Sequence, residues 1–295
     1  MGRKYINRAI ELLDQNQPIY YDGGHTGHEL TFERGQADSK TWADYINVGM
    51  EHGALNMGGL DDYMKGLVDG GPTNSGHKTP AVIVEAPVEG TSEEIIRFNA
   101  WQFRQILARG AHGILLCQAE TPDAVRAFVE SCRYPTAKWG VNYGISKGTR
   151  GTGGQPSAAP IWGIDPSEYT DKCDPWPLNP EGELLLGVKI ETARAVVNVE
   201  QTLSVPGIGF AEMGPGDLHM SYGIVRDPSK PLDPRISEAR ERVFEACKKN
   251  GIAFLEVASP KDIASKIDEG VRVIAGHRED TALAGRKYSL RKMSV

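Results

Sequence analysis

Residues 81–117 read AVIVEAPVEGTSEEIIRFNAWQFRQILARGAHGILLC and contain one complete strand–helix–strand unit. The apolar runs over 81–85 and 113–117 have the length and composition of buried strands. Between them, residues 91–94 (TSEE) have the form of a capping box, which satisfies the free N–H groups at the start of a helix. The apolar stripe of that helix, closed by Gly110, consists of Ile96, Ala100, Phe103 and Leu107. This alternation of strand and helix is typical of α/β folds.

The same alternation extends through the whole chain. Eight candidate strands lie over residues 17–21, 45–49, 81–85, 113–117, 184–191, 208–213, 252–255 and 271–275. Eight strands alternating with helices over about 250 residues is what a (β/α)8 barrel, or TIM barrel, requires. We therefore predict an α/β fold with a single barrel domain over residues 1–295. A doubly wound sheet is the alternative, but its phosphate-binding signature is missing.

Two segments depart from this alternation of strands and helices. Residues 147–179 are rich in Gly, Pro, Ser and Trp, and a structureless segment of this length inside a compact domain is usually functional or an interface arm. We predict an inserted loop that covers either the substrate or a neighbouring subunit, with a merely tolerated insertion as the alternative. Gly151 and Gly153 resemble part of a nucleotide-binding turn, but we expect no strand directly before them and no helix after them. Residues 277–295 are interpreted as a C-terminal extension.

Composition excludes several classes of protein. The 295 residues are 40% hydrophobic and 24% charged, which is typical of an ordinary globular chain. Lys and Arg total 33 against 39 Asp and Glu, giving a net charge of −6 without the basic stripe that nucleic acid demands. The longest apolar runs are far shorter than the ~20 residues that span a bilayer, and the N-terminus lacks the pattern of a signal peptide. We expect a cytoplasmic protein with neither a membrane nor a nucleic acid as partner.

Polar residues at the carboxyl ends of the strands are the candidates for function, because a TIM barrel builds its active site there. They are Asp22, His25, His28, Glu51, His52, Glu85, Gln118, Glu120, Lys189, Glu191, Asp217 and His277. Glu191 ends an apolar strand, where a carboxylate is costly to bury unless something positive holds it. Asp217 follows the next strand in a Gly- and Pro-rich turn. Two such carboxylates suit Mg²⁺ or Mn²⁺, and the alternative is that Glu191 pairs with an arginine and Asp217 caps a helix.

Several short motifs occur together in a fixed order. They are residues 51–56 (EHGALN), 133–135 (RYP), 188–195 (VKIETARA), 205–207 (VPG) and 214–218 (GPGDL). This set resembles the signature of the HpcH/HpaI family of metal-dependent 2-oxo-acid aldolases. The similarity extends, with gaps, from about Asn7 to about Leu283.

The resemblance implies a (β/α)8 barrel, usually a hexamer, in which Mg²⁺, Mn²⁺ or a similar ion binds pyruvate and stabilises its enolate as a Lewis acid. Carried over by position, Glu191 and Asp217 become the metal ligands and His52 becomes the acid/base group. The turn formed by Gly214, Pro215 and Gly216 becomes the site at which backbone N–H groups bind the substrate carboxylate. We accordingly expect a homo-oligomer, a hexamer or a trimer, that acts on a small carbonyl compound.

Three positions depart from the family pattern. Glu85 stands where the family has a substrate-binding arginine, Lys189 where it commonly has glutamine, and Gly49 where it often has aspartate. Alternate residues of a strand face the same way, so Lys189 is expected to share a face with Glu191. Because an ammonium inside a barrel needs a nearby carboxylate, we predict a contact between Lys189 and Glu85. Glu85 thus joins the candidate substrate-binding residues, Lys189 joins His52 as a catalytic candidate, and the substrate is expected to be less anionic than pyruvate.

These observations predict a divalent-metal-dependent carbon–carbon lyase, an aldolase or retro-aldolase, whose chemistry is not plain pyruvate chemistry. Two alternatives stay open. One is a related metal-dependent lyase or dehydratase on the same barrel, and the other is a barrel that has lost catalysis and serves binding or assembly. Metal content separates the second alternative from the rest, because a non-catalytic descendant has no need of a stoichiometric ion at two buried carboxylates.

Overall fold

The structure is a parallel β-barrel surrounded by helices. The computed structural model describes residues 3–227, 229–275 and 278–292, which form nine strands and twelve helices. The strands are β1 (Ile19–Gly24), β2 (Tyr45–Gly49), β3 (Ala81–Glu89), β4 (Gly113–Cys117), β5 (Pro175–Trp176), β6 (Leu184–Ile190), β7 (Phe210–Met213), β8 (Ala253–Val257) and β9 (Val273–Ala275). The helices are α1 (Arg8–Asp14), α2 (Phe32–Asp38), α3 (Met57–Gly70), α4 (Glu93–Ala108), α5 (Pro122–Cys132), α6 (Gln155–Trp162), α7 (Pro166–Lys172), α8 (Ala193–Thr202), α9 (Pro215–Ser221), α10 (Pro234–Asn250), α11 (Ile263–Glu269) and α12 (Glu279–Tyr288).

Eight of these strands close into the barrel. The hydrogen-bonded order is β4-β3-β2-β1-β9-β8-β7-β6, and β4 pairs with β6 to close the ring. The two-residue strand β5 pairs with the start of β6 outside this ring. Each predicted strand overlaps one of the eight barrel strands, so the predicted (β/α)8 fold is confirmed.

Alternate strand residues fill the barrel interior with apolar side chains. Tyr21, Tyr45, Ile83, Leu115 and Phe210 belong to this inner core, and all are almost fully buried. Gly187 makes room for Phe210, since a Cβ at that position would overlap the aromatic ring. Helix α1 packs into the same core and closes the amino-terminal end of the barrel. The polar residues at the carboxyl ends of the strands therefore lie next to an apolar core that fills the rest of the barrel interior.

Helix α4 follows the sequence signals with a shift of one residue. Its predicted apolar stripe is buried. The N-cap is Ser92, whose side chain accepts the N–H of Ile95, whereas the TSEE motif suggested Thr91. Ser92 can take this position because its backbone is extended, as an N-cap requires.

The segment 147–179 is not the structureless loop that composition predicts. It contains α6 and α7, so the expectation that no helix follows Gly153 is wrong. Helix α5 returns the chain to the amino-terminal end of the barrel, and the segment packs there. Trp162 Nε1 donates to the carbonyl of Gly110 at 2.9 Å, and Tyr169 OH donates to the carbonyl of Leu107 at 2.9 Å, both just before β4. The segment therefore lies at the end opposite the predicted metal site, and its role as a substrate cover is wrong.

The interpretation of residues 277–295 as an extension is also wrong, because α12 is the last helix of the barrel. It follows β9, and Arg286 on it donates to the carbonyl of Trp42 at 2.6 Å and lies 3.3 Å from Asp44. His277 lies outside the described residues. Within the described ranges, every helix is too short or too polar to cross a membrane.

Candidate active site

Charged side chains gather at the carboxyl ends of the barrel strands. Lys189 lies on β6 beside Glu212 of the neighbouring strand β7, and Glu85 lies on β3. Glu191 follows β6 directly. Lys189 and Glu191 share a face as predicted, since Lys189 Nζ lies 3.3 Å from Glu191 Oε2.

Lys189 is the only cation at the centre of this cluster among the described ion pairs. Its ammonium lies 3.4 Å from Glu85 Oε1, so the predicted contact is present. Its shortest contact, however, is 2.7 Å to Glu51 Oε2, a partner that the sequence did not single out. Burial acts to lower the pKa of Lys189, but the surrounding negative groups, Glu191 and Glu85 among them, outweigh it and raise the pKa well above its usual range. Lys189 is therefore a fixed positive charge rather than a neutral amine.

Glu191 is fully buried at the base of the site. Its Oε1 accepts the backbone N–H of Gln118 at 2.8 Å, which is directed inward because Gln118 adopts a left-handed conformation with φ of 48°. Its Oε2 accepts no hydrogen bond from the residues that the structure describes, although Lys189 Nζ lies 3.3 Å away. Burial raises the pKa of Glu191 to about 7. The alternative that Glu191 pairs with an arginine is wrong, because its cationic partner is Lys189.

The surroundings of Glu191 fit a divalent ion. A buried carboxylate oxygen without a hydrogen bond is costly unless a cation satisfies it. Gly214 lets that oxygen lie directly against the backbone, since a Cβ on this residue would overlap Glu191 Oε2. Oxygen donors of this kind are what Mg²⁺ and Mn²⁺ prefer.

Asp217 lies in the first turn of α9, which begins at Pro215. No side-chain hydrogen bond caps this helix, so the alternative that Asp217 is a helix cap is wrong. Among the three residues of the predicted carboxylate-binding turn, Gly214 uses its N–H to bond the carbonyl of Ile190, and proline has none. Gly216 is the residue of the three whose N–H has no partner within the helix.

Glu51 lies close to both predicted metal ligands, Glu191 and Asp217. One of its oxygens lies within 4.8 Å of ligand atoms of His52 and Asp217, and Glu51 also forms such a group with Cys117 and Glu191. His52 is half exposed, and its Nε2 lies 3.5 Å from Glu51 Oε2. The EHGALN turn after β2 thus brings both an imidazole and a third carboxylate to the site.

A second group of residues lies on the other side of Lys189. His25 Nδ1 lies 2.7 Å from Glu85 Oε1, and Glu212 completes a set whose ligand atoms are within 4.8 Å of one another. The hydrogen bond to Glu85 raises the pKa of His25. Burial acts to raise the pKa of Glu85, but His25 and Lys189 outweigh it and lower that pKa, whereas burial prevails at Glu212 and raises its pKa. His28 takes no part, because it is bonded to Asp38 at 2.9 Å.

Sequence reasoning missed Glu212, and it left Glu51 and His25 without a place in this cluster. Glu51 and His25 stood among the strand-end candidates, but nothing in the sequence indicated which strands face each other. Glu212 had a detectable signal, since it is two residues after the inward-facing Phe210 on the same strand. An acidic residue at an interior position of a predicted barrel strand was therefore a candidate by periodicity alone.

Comparison with known proteins agrees with this architecture. The sequence model of the family described as HpcH/HpaI aldolase/citrate lyase matches residues 84–283. The chain is 30% identical over 211 residues to a hydroxypyruvate/pyruvate aldolase of Paraburkholderia phytofirmans, a match that covers 69% of this chain and 73% of that protein. It is 28% identical over 191 residues to a 4-hydroxy-2-oxo-heptane-1,7-dioate aldolase of Shigella sonnei, covering 63% of this chain and 66% of that protein.

Structural similarity extends over almost the whole chain. The crystal structure of a HpcH/HpaI aldolase/citrate lyase family protein from Burkholderia cenocepacia matches with a TM-score of 0.68 and 22% identity, over 96% of this chain and 97% of that one. By sequence, the chain spans about two thirds of the length of the aldolases that it matches. Because the family model matches well over half of its residues, the chain belongs to the HpcH/HpaI aldolase/citrate lyase family of carbon–carbon lyases, as its motifs predicted.

Proposed function

We propose that the protein is a divalent-metal-dependent aldolase or retro-aldolase, which forms or breaks a carbon–carbon bond near a carbonyl group. Glu191 and Asp217 are the proposed ligands of Mg²⁺ or Mn²⁺. The observation that carries the proposal is Glu191 Oε2, which is buried, lies 3.3 Å from Lys189 Nζ and accepts no hydrogen bond from the described residues. The names of the two aldolases to which the chain is similar support the reaction class.

A bound Mg²⁺ or Mn²⁺ ion supplies Lewis-acid polarisation of the substrate carbonyl. The side chains around it do the remaining work. His52 takes or gives the proton, because imidazole is the side chain most often used for general acid–base catalysis. Glu51, whose Oε2 lies 3.5 Å from His52 Nε2, orients the ring. The N–H of Gly216 donates a hydrogen bond to an oxygen atom of the substrate.

The charges around Lys189 favour a substrate that is less anionic than pyruvate. Its single positive charge is already shared by Glu51, Glu85 and Glu191. The excess negative charge repels a further carboxylate in a region of low dielectric constant. Glu85 is fully buried, so we assign it a role in positioning Lys189 and His25 rather than in direct contact with the substrate. Lys189 acts in this proposal as an electrostatic group.

Loss of a metal ligand should remove the activity. Glu191→Gln and Asp217→Asn should each weaken Mn²⁺ binding by about 100-fold or more, since even residues that only support ligands contribute about 10–100-fold. Circular dichroism should show little loss of fold, because neither change creates a cavity. Calorimetric titration with Mn²⁺ measures the affinity, and Glu200→Gln, a surface carboxylate paired with Arg242, is the control. Full activity of either variant after chelation and return of the metal contradicts the assignment.

A matched glycine pair tests the same site without removing a carboxylate. Gly214→Ala should also weaken Mn²⁺ binding, because the new methyl group overlaps Glu191 Oε2. Gly216→Ala places its methyl group in open space and should leave Mn²⁺ affinity unchanged. Equal affinities for the two variants would mean that the ion does not use this oxygen.

Replacement of His52 should affect turnover more than metal binding. His52→Ala should lower kcat by about 10²-fold or more, which is the usual contribution of general acid–base catalysis. Mn²⁺ affinity should remain close to that of the unaltered protein, because His52 is not a proposed ligand. Steady-state kinetics with a separate metal titration measures both. A change confined to KM would make His52 a residue that positions the substrate.

Restoring the family's charges should change the substrate preference. Lys189→Gln combined with Glu85→Arg should raise kcat/KM for pyruvate-type substrates relative to less anionic carbonyl compounds. The double variant returns a cation to β3 and removes the charge on β6, so the net charge of the cluster becomes one unit more positive. Competition kinetics with a pyruvate donor and an uncharged ketone donor measures the ratio. An unchanged ratio would show that these two residues do not set the preference.

We also propose that the chain forms a homo-oligomer, a trimer or a hexamer. Support comes from the outer face of α4, where three large apolar side chains are exposed: Ile95, Phe98 and Trp101. Light scattering should give three or six times the 32.2 kDa mass of the chain, and Phe98→Glu should lower it. A monomeric mass at micromolar concentration contradicts this proposal.

A further inference from the structure

Three side chains beside the proposed metal site form a separate group with the donors of a metal centre. They are His25, which follows β1, Glu85 on β3 and Glu212 on β7. One ligand atom of each lies within 4.8 Å of the other two. None of the three is a proposed ligand at Glu191 and Asp217, so the proposed aldolase chemistry leaves their metal-binding capacity unused.

Two carboxylate oxygens in this group lack partners. Glu85 is fully buried and Glu212 is 7% exposed, yet within the described part of the chain neither Glu85 Oε2 nor Glu212 Oε2 accepts a hydrogen bond. Buried polar atoms are almost always satisfied, and an unpaired buried carboxylate is among the costliest exceptions. Lys189 lies 3.4 Å from the other oxygen of Glu85 and is closest to Glu51, so its charge does not satisfy the two unpaired oxygens.

The charge of the whole cluster indicates that one divalent ion is not enough. The acidic residues are Glu51, Glu85, Glu191, Glu212 and Asp217, and the one ammonium is that of Lys189. Metal ligands bind in their deprotonated forms, and with all five carboxyl groups ionised and both histidines neutral the cluster carries a net charge of −4. A single divalent ion at Glu191 and Asp217 leaves −2, and a second divalent ion brings the cluster to neutrality. A buried cluster far from neutrality is strongly disfavoured.

We propose that His25, Glu85 and Glu212 bind a second divalent transition-metal ion, such as Mn²⁺ or Zn²⁺. One imidazole and two carboxylates are a donor set that such ions accept, with water or substrate in the open positions. Donors about 2.0–2.1 Å from a shared ion lie about 3.4 Å apart in a tetrahedral arrangement. The three ligand atoms, which lie within 4.8 Å of one another, would move to this spacing as the ion replaces the hydrogen bond between His25 and Glu85. The His25 side chain is 31% exposed and provides the route by which the ion enters.

The site is tested by counting bound metal on the full chain. Metal-free protein is dialysed against excess Mn²⁺, and the bound ions are counted by mass spectrometry of the metal. We expect two Mn²⁺ per chain in the unaltered protein and in Glu200→Gln, the surface control. Glu212→Gln should retain one ion, Glu191→Gln should retain one, and the double variant should retain none.

Each outcome separates this site from the proposed aldolase site. One Mn²⁺ per chain that is lost in Glu191→Gln but kept in Glu212→Gln overturns the second site and leaves the proposed function standing. Two ions in Glu212→Gln also overturn it. Stoichiometry that is unaffected by Glu191→Gln counts against the proposed function instead. If Glu212→Gln does not fold, His25→Gln replaces it, since this side chain is partly exposed, and the second Mn²⁺ should then bind at least about tenfold more weakly. Unchanged binding of the second ion by His25→Gln likewise overturns the site.

Discussion

Lys189 holds the carboxyl end of the barrel together. Its Nζ lies within 3.4 Å of carboxylate oxygens from Glu51, Glu85 and Glu191, which follow or belong to three different strands. Removing one partner of a buried ion pair typically costs about 3–5 kcal/mol, because the other charge stays buried and uncompensated. With three acidic partners, the penalty for losing Lys189 falls on the whole cluster. The position of this one ammonium therefore fixes where the acidic side chains point.

The ammonium also divides the cluster into two halves. On one side lie Glu51 and Glu191, whose environment fits a hard divalent ion, and His52 is close enough to exchange a proton there. On the other side lie His25 and Glu212, with unpaired carboxylate oxygens of their own. Because Lys189 is held in its charged form, it is not available to either half as a nucleophilic amine.

The fold could be predicted from the sequence because strand and helix periodicity is local information, and the eight barrel strands follow it closely. Helix α6 was missed because it has no side-chain cap at its start and has Pro160 in its interior. Part of the site could also be predicted from the sequence, since the two-residue spacing of Lys189 and Glu191 places their side chains on one face of the strand. Glu51 could not be assigned as a partner of Lys189, because its approach depends on how distant strands close into a ring. Lys189 does contact its predicted partner Glu85, but Glu51 is closer to it. The contact with Glu51 can be recognised only in the closed barrel.

Anomalous diffraction from crystals of the protein grown with Mn²⁺ tests the central claim most directly. The account predicts an anomalous peak within coordination distance of Glu191 Oε2 and of the Asp217 carboxylate, about 2.0–2.2 Å from each oxygen, as is typical of hard divalent ions of this size. The ion pair between Lys189 and Glu51 should remain intact when Mn²⁺ is bound. Full occupancy of Mn²⁺ elsewhere, with Glu191 Oε2 still paired only with Lys189, would contradict the account.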